Sequence, residues 1–253
     1  MLCYGGKRMK QELFRIIENV PLTDTVFRMR LEGNTDAIAR PGQFVNIRLD
    51  GRFLRRPISV CDKEQNRLTI IYKVVGAGTD QMSRLPSGAS LNVLTGLGNG
   101  YDLSPAGGRP LLLGGGVGIP PLFWLAKELT GEGHPVTVVL GFNTADEVFY
   151  EEEFRSIGAN VIVTTVDGSR GRKGFVTQAV NGHDYTYYYA CGPMPMLKAV
   201  YYSIPCDGQM SFEQRMGCGF GACMGCSIRT SAGYKRICKE GPVLLKEEIL
   251  WED

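Results

Sequence analysis

Four cysteines near the end of the chain carry the clearest chemistry in the sequence. Cys218, Cys223, Cys226 and Cys238 are spaced Cys-x4-Cys-x2-Cys-x11-Cys. A Cys-x4-Cys-x2-Cys run with a distant fourth cysteine is the plant-type spacing for a 2Fe-2S cluster. Two sulfide-bridged irons need four thiolates converging on one compact unit, and a tight loop delivers three of them if its backbone can wrap. Gly219, Gly221 and Gly225 supply that freedom. Their amides can also point at the sulfurs and stabilise an added electron. Structural zinc is the competing use of such a cluster, but it usually takes two short cysteine pairs, and here Cys238 stands alone. Disulfides or simple packing are the remaining uses. The other cysteines, Cys3, Cys61, Cys191 and Cys206, are scattered and read as structural.

Four further stretches suit an anion. LLLGGGVGIPP is a buried strand running through a glycine turn, Gly114-x-Gly116-x-Gly118, into a helix. That is where an α/β sheet meets phosphate, although the spacing is not the usual Gly-x-Gly-x-x-Gly. ACGPMPM places a second small turn, Cys191-Gly192-Pro193, at the carboxyl end of a later strand. Nearer the start, Arg55-Arg56-Pro57-Ile58-Ser59 sets an arginine three residues from a serine on an extended strand. Arginine clamps a diphosphate and serine hydrogen-bonds it. Gly76-Ala77-Gly78-Thr79 opens a short helix, DQMSRL, and makes another anion-binding turn. Together these two are spaced like a flavin site. Each motif alone also has a plain structural use, as a tight turn, a helix start or a solvated strand face.

The elements that must position these residues fall into zones. From about residue 9 to 103, short runs such as KQELFRIIENV, TVFRMRLEG and RLTIIYKVV alternate polar and apolar residues between turn signals, which predicts an antiparallel barrel or sandwich. SPAGGRP, residues 104–110, reads as a linker. From 111 to about 205, strands alternate with helical patterns, which predicts a doubly wound parallel sheet. Helices are expected at PPLFWLAKELTGEG, DEVFYEEEFRSIG, GFVTQAV and PMPMLKAVYYSI. The expected fold class is therefore all-β plus α/β, with boundaries at 1–104, 105–205 and 206–253, the last a small cluster-binding segment. The 253 residues carry 28 basic and 26 acidic side chains, net +2, so no electrostatic footprint for nucleic acid or membrane is present. No apolar run approaches the roughly 20 residues of a spanning helix, and a cytoplasmic protein with reduced cysteines is expected. Only His134 and His183 are present, and no catalytic acid, base or nucleophile is expected. Met9 is a possible alternative start, and residues 1–8 are assigned no role.

The motifs in this order resemble the ferredoxin–NADP reductase superfamily. Arg56-Pro57-Ile58-Ser59 stands where that superfamily has Arg-x-Tyr/Phe-Ser, with Ile58 in place of the aromatic. The block from Glu213 to Cys226, with Cys238-Lys-Glu-Gly-Pro-Val behind it, resembles the electron-transfer subunits of dihydroorotate dehydrogenase B, Gln214 being an extra residue within it. The likeness runs from about residue 10 to 245.

The resemblance implies FAD contacts at Arg56, Pro57, Ile58 and Ser59, with Ile71, Tyr72 and Lys73 lining the flavin and Gly78 and Thr79 at its diphosphate. It implies an NAD site along Gly115, Gly116, Gly118, Cys191 and Gly192, and a 2Fe-2S cluster on Cys218, Cys223, Cys226 and Cys238. It implies a separate FMN-containing catalytic subunit that oxidises dihydroorotate in pyrimidine synthesis, two copies of each chain forming a heterotetramer. Electrons would pass from that subunit through cluster and FAD to NAD+. Phe220 and Met224, apolar in a glycine loop, would either face the partner or fill the chain's own core. No arginine follows Gly141-Phe142-Asn143, while Asp146 and Glu147 do, which favours NAD over NADP. The alternative is a related NAD(P)H oxidoreductase subunit of ferredoxin:NADP or sulfide dehydrogenase type, and a zinc-bearing nucleotide-sensing module is a reading of another class.

Overall fold

The structure, a computed structural model, describes residues 3–4 and 7–251, with side chains from residue 9 onward. Six antiparallel strands close a barrel. They are β1 (Lys10–Pro21), β2 (Val26–Glu32), β3 (Phe44–Ile47), β4 (Arg56–Glu64), β5 (Arg67–Lys73) and β6 (Ser90–Leu97). Their order is β1-β2-β5-β4-β3-β6, with β6 pairing back onto β1. Alternation along each strand decides which side chains enter: Val45 and Ile47 join Phe14, Met29, Ile70 and Tyr72 inside, while Phe44 packs outside against the next domain. A short helix, α1 (Ala77–Ser83), follows β5.

Seven strands form the second sheet. Five belong to the middle of the chain: β7 (Pro110–Gly115), β8 (Thr137–Phe142), β9 (Asn160–Thr165), β10 (Arg172–Lys173) and β11 (Tyr187–Cys191). The tail supplies β12 (Gly208–Ser211), a small hairpin of β13 (Ser227–Thr230) and β14 (Gly233–Arg236), and β15 (Val243–Leu245). The sheet runs β10-β9-β8-β7-β11-β12-β15, parallel except for the β12–β15 pair. Both faces are covered, so β7 is buried along its whole length. The tail is therefore tied into the nucleotide sheet by two of its strands.

Helix α2 (Pro120–Gly131) lies between sheet and barrel, which explains why it is apolar nearly all round: Leu122, Leu125 and Leu129 face the sheet cluster, and Trp124 joins the barrel core. At its exposed edge Lys127 Nζ sits 3.0 Å from Asp62 Oδ2 on β4. Helix α4 (Met194–Ser203) forms as predicted. Two other expected helices form only in part. GFVTQAV makes one 3-10 turn, Val176–Gln178, because Gly174 takes φ +117° and Val176 is drawn onto Gly141 in the sheet. DEVFYEEEFRSIG splits into a 3-10 turn, Ala145–Glu147, and α3 (Glu151–Ser156). Tyr150 breaks it with φ +65°, held there by edge-to-face contact with Phe123 at 5.2 Å between ring centres. Among the described residues no helix is long and apolar enough to cross a membrane.

Candidate functional site

The site consists of three clusters of residues, on a barrel strand, at the sheet edge and in the tail loop. At the barrel, Arg56 opens β4 and its guanidinium lies directly against the turn that begins α1. A Cβ on Gly78 would stand 2.1 Å from Arg56 Nε, so only glycine lets the arginine lie there. The turn is set by Thr79, whose hydroxyl accepts from the amides of Val75 (2.9 Å) and Gly76 (3.3 Å). Arg56 Nη1 donates to the carbonyls of Leu54 (2.7 Å) and Arg55 (3.4 Å), while its Nε and Nη2 lie against the Gly78 backbone. That donor set fits a diphosphate. Pro57, Ile58 and Ser59 are half-buried along β4, opposite Asn46, Val45 and Phe44. Ile71 and Lys73 face out of the barrel, but Tyr72 turns inward, its hydroxyl donating to Asn19 Oδ1 at 2.9 Å. Any flavin contact of Tyr72 must run through its backbone.

At the sheet, strand order reverses between β7 and β11, and the crevice beyond their carboxyl ends is where such sheets take ligands. The two glycine motifs meet there. Gly114 pairs with Cys191 across the strands. A Cβ on Gly118 would lie 2.4 Å from the Cys191 carbonyl oxygen, and one on Gly115 would lie 2.6 Å from Met196 Sδ. Gly116 instead has φ +51° and open space before it, the place where a phosphate can approach. Helix α2 begins with Pro120 and Pro121, which have no N–H, so the donors here are the amides of the glycine turn and not those of the helix end. Lys73 Nζ is 3.9 Å from Glu147 Oε1, and Asn143 donates to the other Glu147 oxygen through its amide (3.1 Å) and side chain (2.9 Å). This carboxylate ties barrel strand β5 to the loop after β8. It also disfavours a 2′-phosphate.

At the tail, the four cysteines come as two pairs. Cys218 Sγ accepts from the Ala222 amide at 3.2 Å. Burial alone would raise its thiol, but the amides of Phe220, Cys223 and Ala222 and the Cys223 thiol outweigh it and bring the pKa down to about 6. Cys226 and Cys238 are each 2% exposed, and the Cys238 amide meets Cys226 Sγ at 3.5 Å. Burial, with the neighbouring Cys226, pushes the Cys238 thiol up. Two thiolates on each of two irons is what a 2Fe-2S cluster asks, and the amide donors on Cys218 suit its charge. The loop is wrapped by Gly219 (φ +78°) and Gly221 (φ +90°) and held by Arg236, which donates to the Gly221 carbonyl at 2.7 Å and to Glu240 Oε2 at 2.9 Å. Phe220 and Met224 are 40% and 52% exposed, so they do not fill the chain's own core. Cys61, Cys191 and Cys206 are free thiols, Cys61 fully buried; the side chain of Cys3 lies outside the described residues.

Residues that the motifs did not flag hold these clusters together. Asn46 on β3 donates to the Cys218 carbonyl at 3.2 Å. Asn99 donates to the carbonyls of Glu240 (3.0 Å) and Val243 (2.7 Å), joining barrel end to tail. For Asn46 the one signal in the sequence is a lone amide within the apolar strand FVNI.

Comparison with known proteins gives the family and its domains. The family model for the iron-sulfur cluster binding domain of dihydroorotate dehydrogenase B matches residues 213–250, and the oxidoreductase NAD-binding domain matches 112–201. A Fusobacterium nucleatum protein called dihydroorotate dehydrogenase B (NAD(+)), electron transfer subunit, is 44% identical, with 95% of this chain and 99% of that protein covered. A Geobacillus protein of the same name is 42% identical over 96% and 99%. Among solved structures, a chain of NADH-dependent reduced ferredoxin-NADP oxidoreductase matches with TM-score 0.85 at 33% identity, covering 94% of this chain and 90% of that one. A ferredoxin reductase of carbazole 1,9a-dioxygenase shares the fold at 21% identity, TM-score 0.65, covering 78% and 65%.

Proposed function

This chain belongs to the family of electron-transfer subunits of NAD(+)-dependent dihydroorotate dehydrogenase B, and we propose that its three residue clusters form one electron line: cysteine loop, barrel strand, sheet edge. Its activity is that of the family, an oxidoreductase subunit working with FAD, a 2Fe-2S cluster and NAD. We assign residues 1–104 to the flavin barrel, 105–205 to the nucleotide domain and 206–253 to the cluster segment.

When bound, the flavin supplies the chemistry that neither neighbour has: it exchanges a hydride with NAD and single electrons with the cluster. The chain's own residues bind and orient. Arg56, Gly78 and Thr79 hold the FAD diphosphate, while Pro57, Ile58, Ser59, Ile71, the Tyr72 backbone and Lys73 line its ring. Gly115, Gly116, Gly118, Cys191 and Gly192 seat the nicotinamide nucleotide. Cys218 and Cys223 take one iron, Cys226 and Cys238 the other. No side chain is asked for acid–base catalysis. Dihydroorotate is oxidised on a partner chain carrying FMN, two copies of each subunit assembling, in the cytoplasm. The exposed Phe220 and Met224 beside the cysteines support a partner at the cluster loop.

The observation that carries this reading is the Arg56–Gly78 contact, because it joins two distant motifs into one diphosphate cradle. The test is the visible spectrum of the purified chain with metal analysis and identification of released flavin. Flavin bands, broad two-iron absorption and FAD in the supernatant are expected. A colourless protein with one zinc would refute the reading. The likeness to the ferredoxin-NADP oxidoreductase chain supports a second reading, a subunit serving another partner. Co-purification with an FMN-bearing chain that oxidises dihydroorotate, and preference for NADH over NADPH, decide between them.

A further inference from the structure

We propose that Asn46 is the positioning residue that holds the cluster loop against the flavin strand and thereby sets the gap an electron must cross. The inference rests on the electron line above and adds a residue to it. Asn46 is 1% exposed in a strand whose neighbours Val45 and Ile47 fill the barrel. Alternation puts its side chain outside the barrel, on the side Phe44 faces. Its cross-strand partner is Pro57, between Arg56 and Ile58 of the flavin strand, and paired residues share a face.

From that position the Asn46 amide reaches the loop. Nδ2 donates to the Cys218 carbonyl at 3.2 Å. The next residue, Gly219, has φ +78°, and a Cβ there would lie 2.3 Å from Asn46 Nδ2. The loop is thus seated directly on the amide. Turning the amide over would bring Oδ1 against the Cys218 carbonyl, two acceptors face to face, so the nitrogen must point at the loop. That orientation leaves Oδ1 buried without a partner. A leucine of similar size would avoid the cost of the orphan oxygen but could not hold the carbonyl. The strand beneath is itself pinned, since Arg55 Nη1 donates to the Asn46 carbonyl at 3.1 Å and Arg55 Nη2 to Asn92 Oδ1 at 2.7 Å. One side chain therefore spans from the residue opposite Pro57 to the first cluster cysteine. A single electron passes between the two sides with no bond made and no proton moved at Asn46, so the residue acts through distance and orientation, which must hold to about 0.5 Å.

The experiment uses the assembled complex with its catalytic partner, comparing Asn46→Ala, Asn46→Leu and Asn46→Asp, with Gly219→Ala pushing on the same contact from the loop side. After mixing with NADH, flavin bleaching is followed optically and cluster reduction by rapid-freeze EPR; the cluster's midpoint potential and g-values are measured at equilibrium. Flavin bleaching at the wild-type rate is expected, with cluster reduction slower by about tenfold, the scale of one net hydrogen bond, and with altered g-values or potential. Loss of the cluster with flavin retained also supports the inference. Wild-type cluster kinetics, g-values and potential in all four variants would overturn it. So would joint loss of flavin and cluster in each, which would make Asn46 only a barrel-folding residue. If the unmodified complex holds no cluster, the electron line fails instead.

Discussion

Replacing Gly118 with alanine tests whether the two glycine motifs form one nucleotide seat. The added methyl would stand 2.4 Å from the Cys191 carbonyl oxygen, 2.5 Å from its carbon and 2.6 Å from Gly192 Cα. All three are backbone atoms at the end of β11, held by pairing with β7 and β12, so no side chain can swing aside. Overpacking of a rigid site costs about 1–3 kcal/mol, and backbone neighbours put this substitution at the upper end. For a chain of this size that is a fall in melting temperature of roughly 6–12 °C. Gly116→Ala is the control. Its methyl meets nothing within 4 Å, and the cost is only that of a left-handed φ of +51°, about 1–2 kcal/mol. The methyl nevertheless fills the space a phosphate would enter. Calorimetry and NADH-driven flavin reduction by stopped flow separate the two. Gly118→Ala loses stability and nucleotide affinity together, and Gly116→Ala loses mainly affinity, both with full FAD and iron. Native NAD affinity in both variants would refute the shared seat.

Arg56→Ala removes the guanidinium of the cradle and is expected to weaken FAD binding by more than about hundredfold, two charge-assisted bonds' worth, measured by flavin retention on dialysis; unchanged retention would move the diphosphate elsewhere. Met224→Glu places a charge on the exposed face of the cluster loop. It should cut complex formation at least about tenfold in size-exclusion titrations, leaving NADH oxidation with artificial acceptors intact. Lys127→Ala strands Asp62, whose side chain is 13% exposed, at about 1–2 kcal/mol after allowing for the lysine's own exposure. Burial raises the Asp62 carboxyl, with Lys127 pulling against it. The variant's deficit should therefore be small below about pH 4 and grow as pH rises through the raised value, which melting curves across pH will check.

The barrel was legible in the sequence because its signal is local: each strand alternates within itself, and the turn residues sit between. The cysteine motif was legible for the same reason, being a spacing. What could not be read were elements whose conformation is decided by distant neighbours. Gly174–Val180 has a helical composition, yet Val176 gains more by capping Gly141 of the sheet than a two-turn helix could return. Tyr150 adopts a left-handed φ because its ring packs edge-on against Phe123 of α2 and the neighbouring Phe149, both buried. Tyr72 was placed with its flavin-lining neighbours, but alternation sends it the other way, a parity that needs one known inward residue before it can be counted.

The tail shows why position along the chain misleads about position in space. Read as residues 206–253 it is an appendage, but β12 and β15 are the last two strands at one edge of the nucleotide sheet. Between them the cysteine loop returns to the barrel, where Asn46 meets Cys218 and Asn99 meets Glu240 and Val243. A cluster carried on a flexible arm could reach many distances from a flavin, and its electron transfer would be averaged over them. Anchoring the loop to both domains removes that freedom. The same anchoring means that separation of barrel from sheet would also separate cluster from flavin. Limited proteolysis should then release the tail only when flavin is lost as well, and release of an intact, iron-bearing tail from a chain still holding FAD would contradict the double anchor.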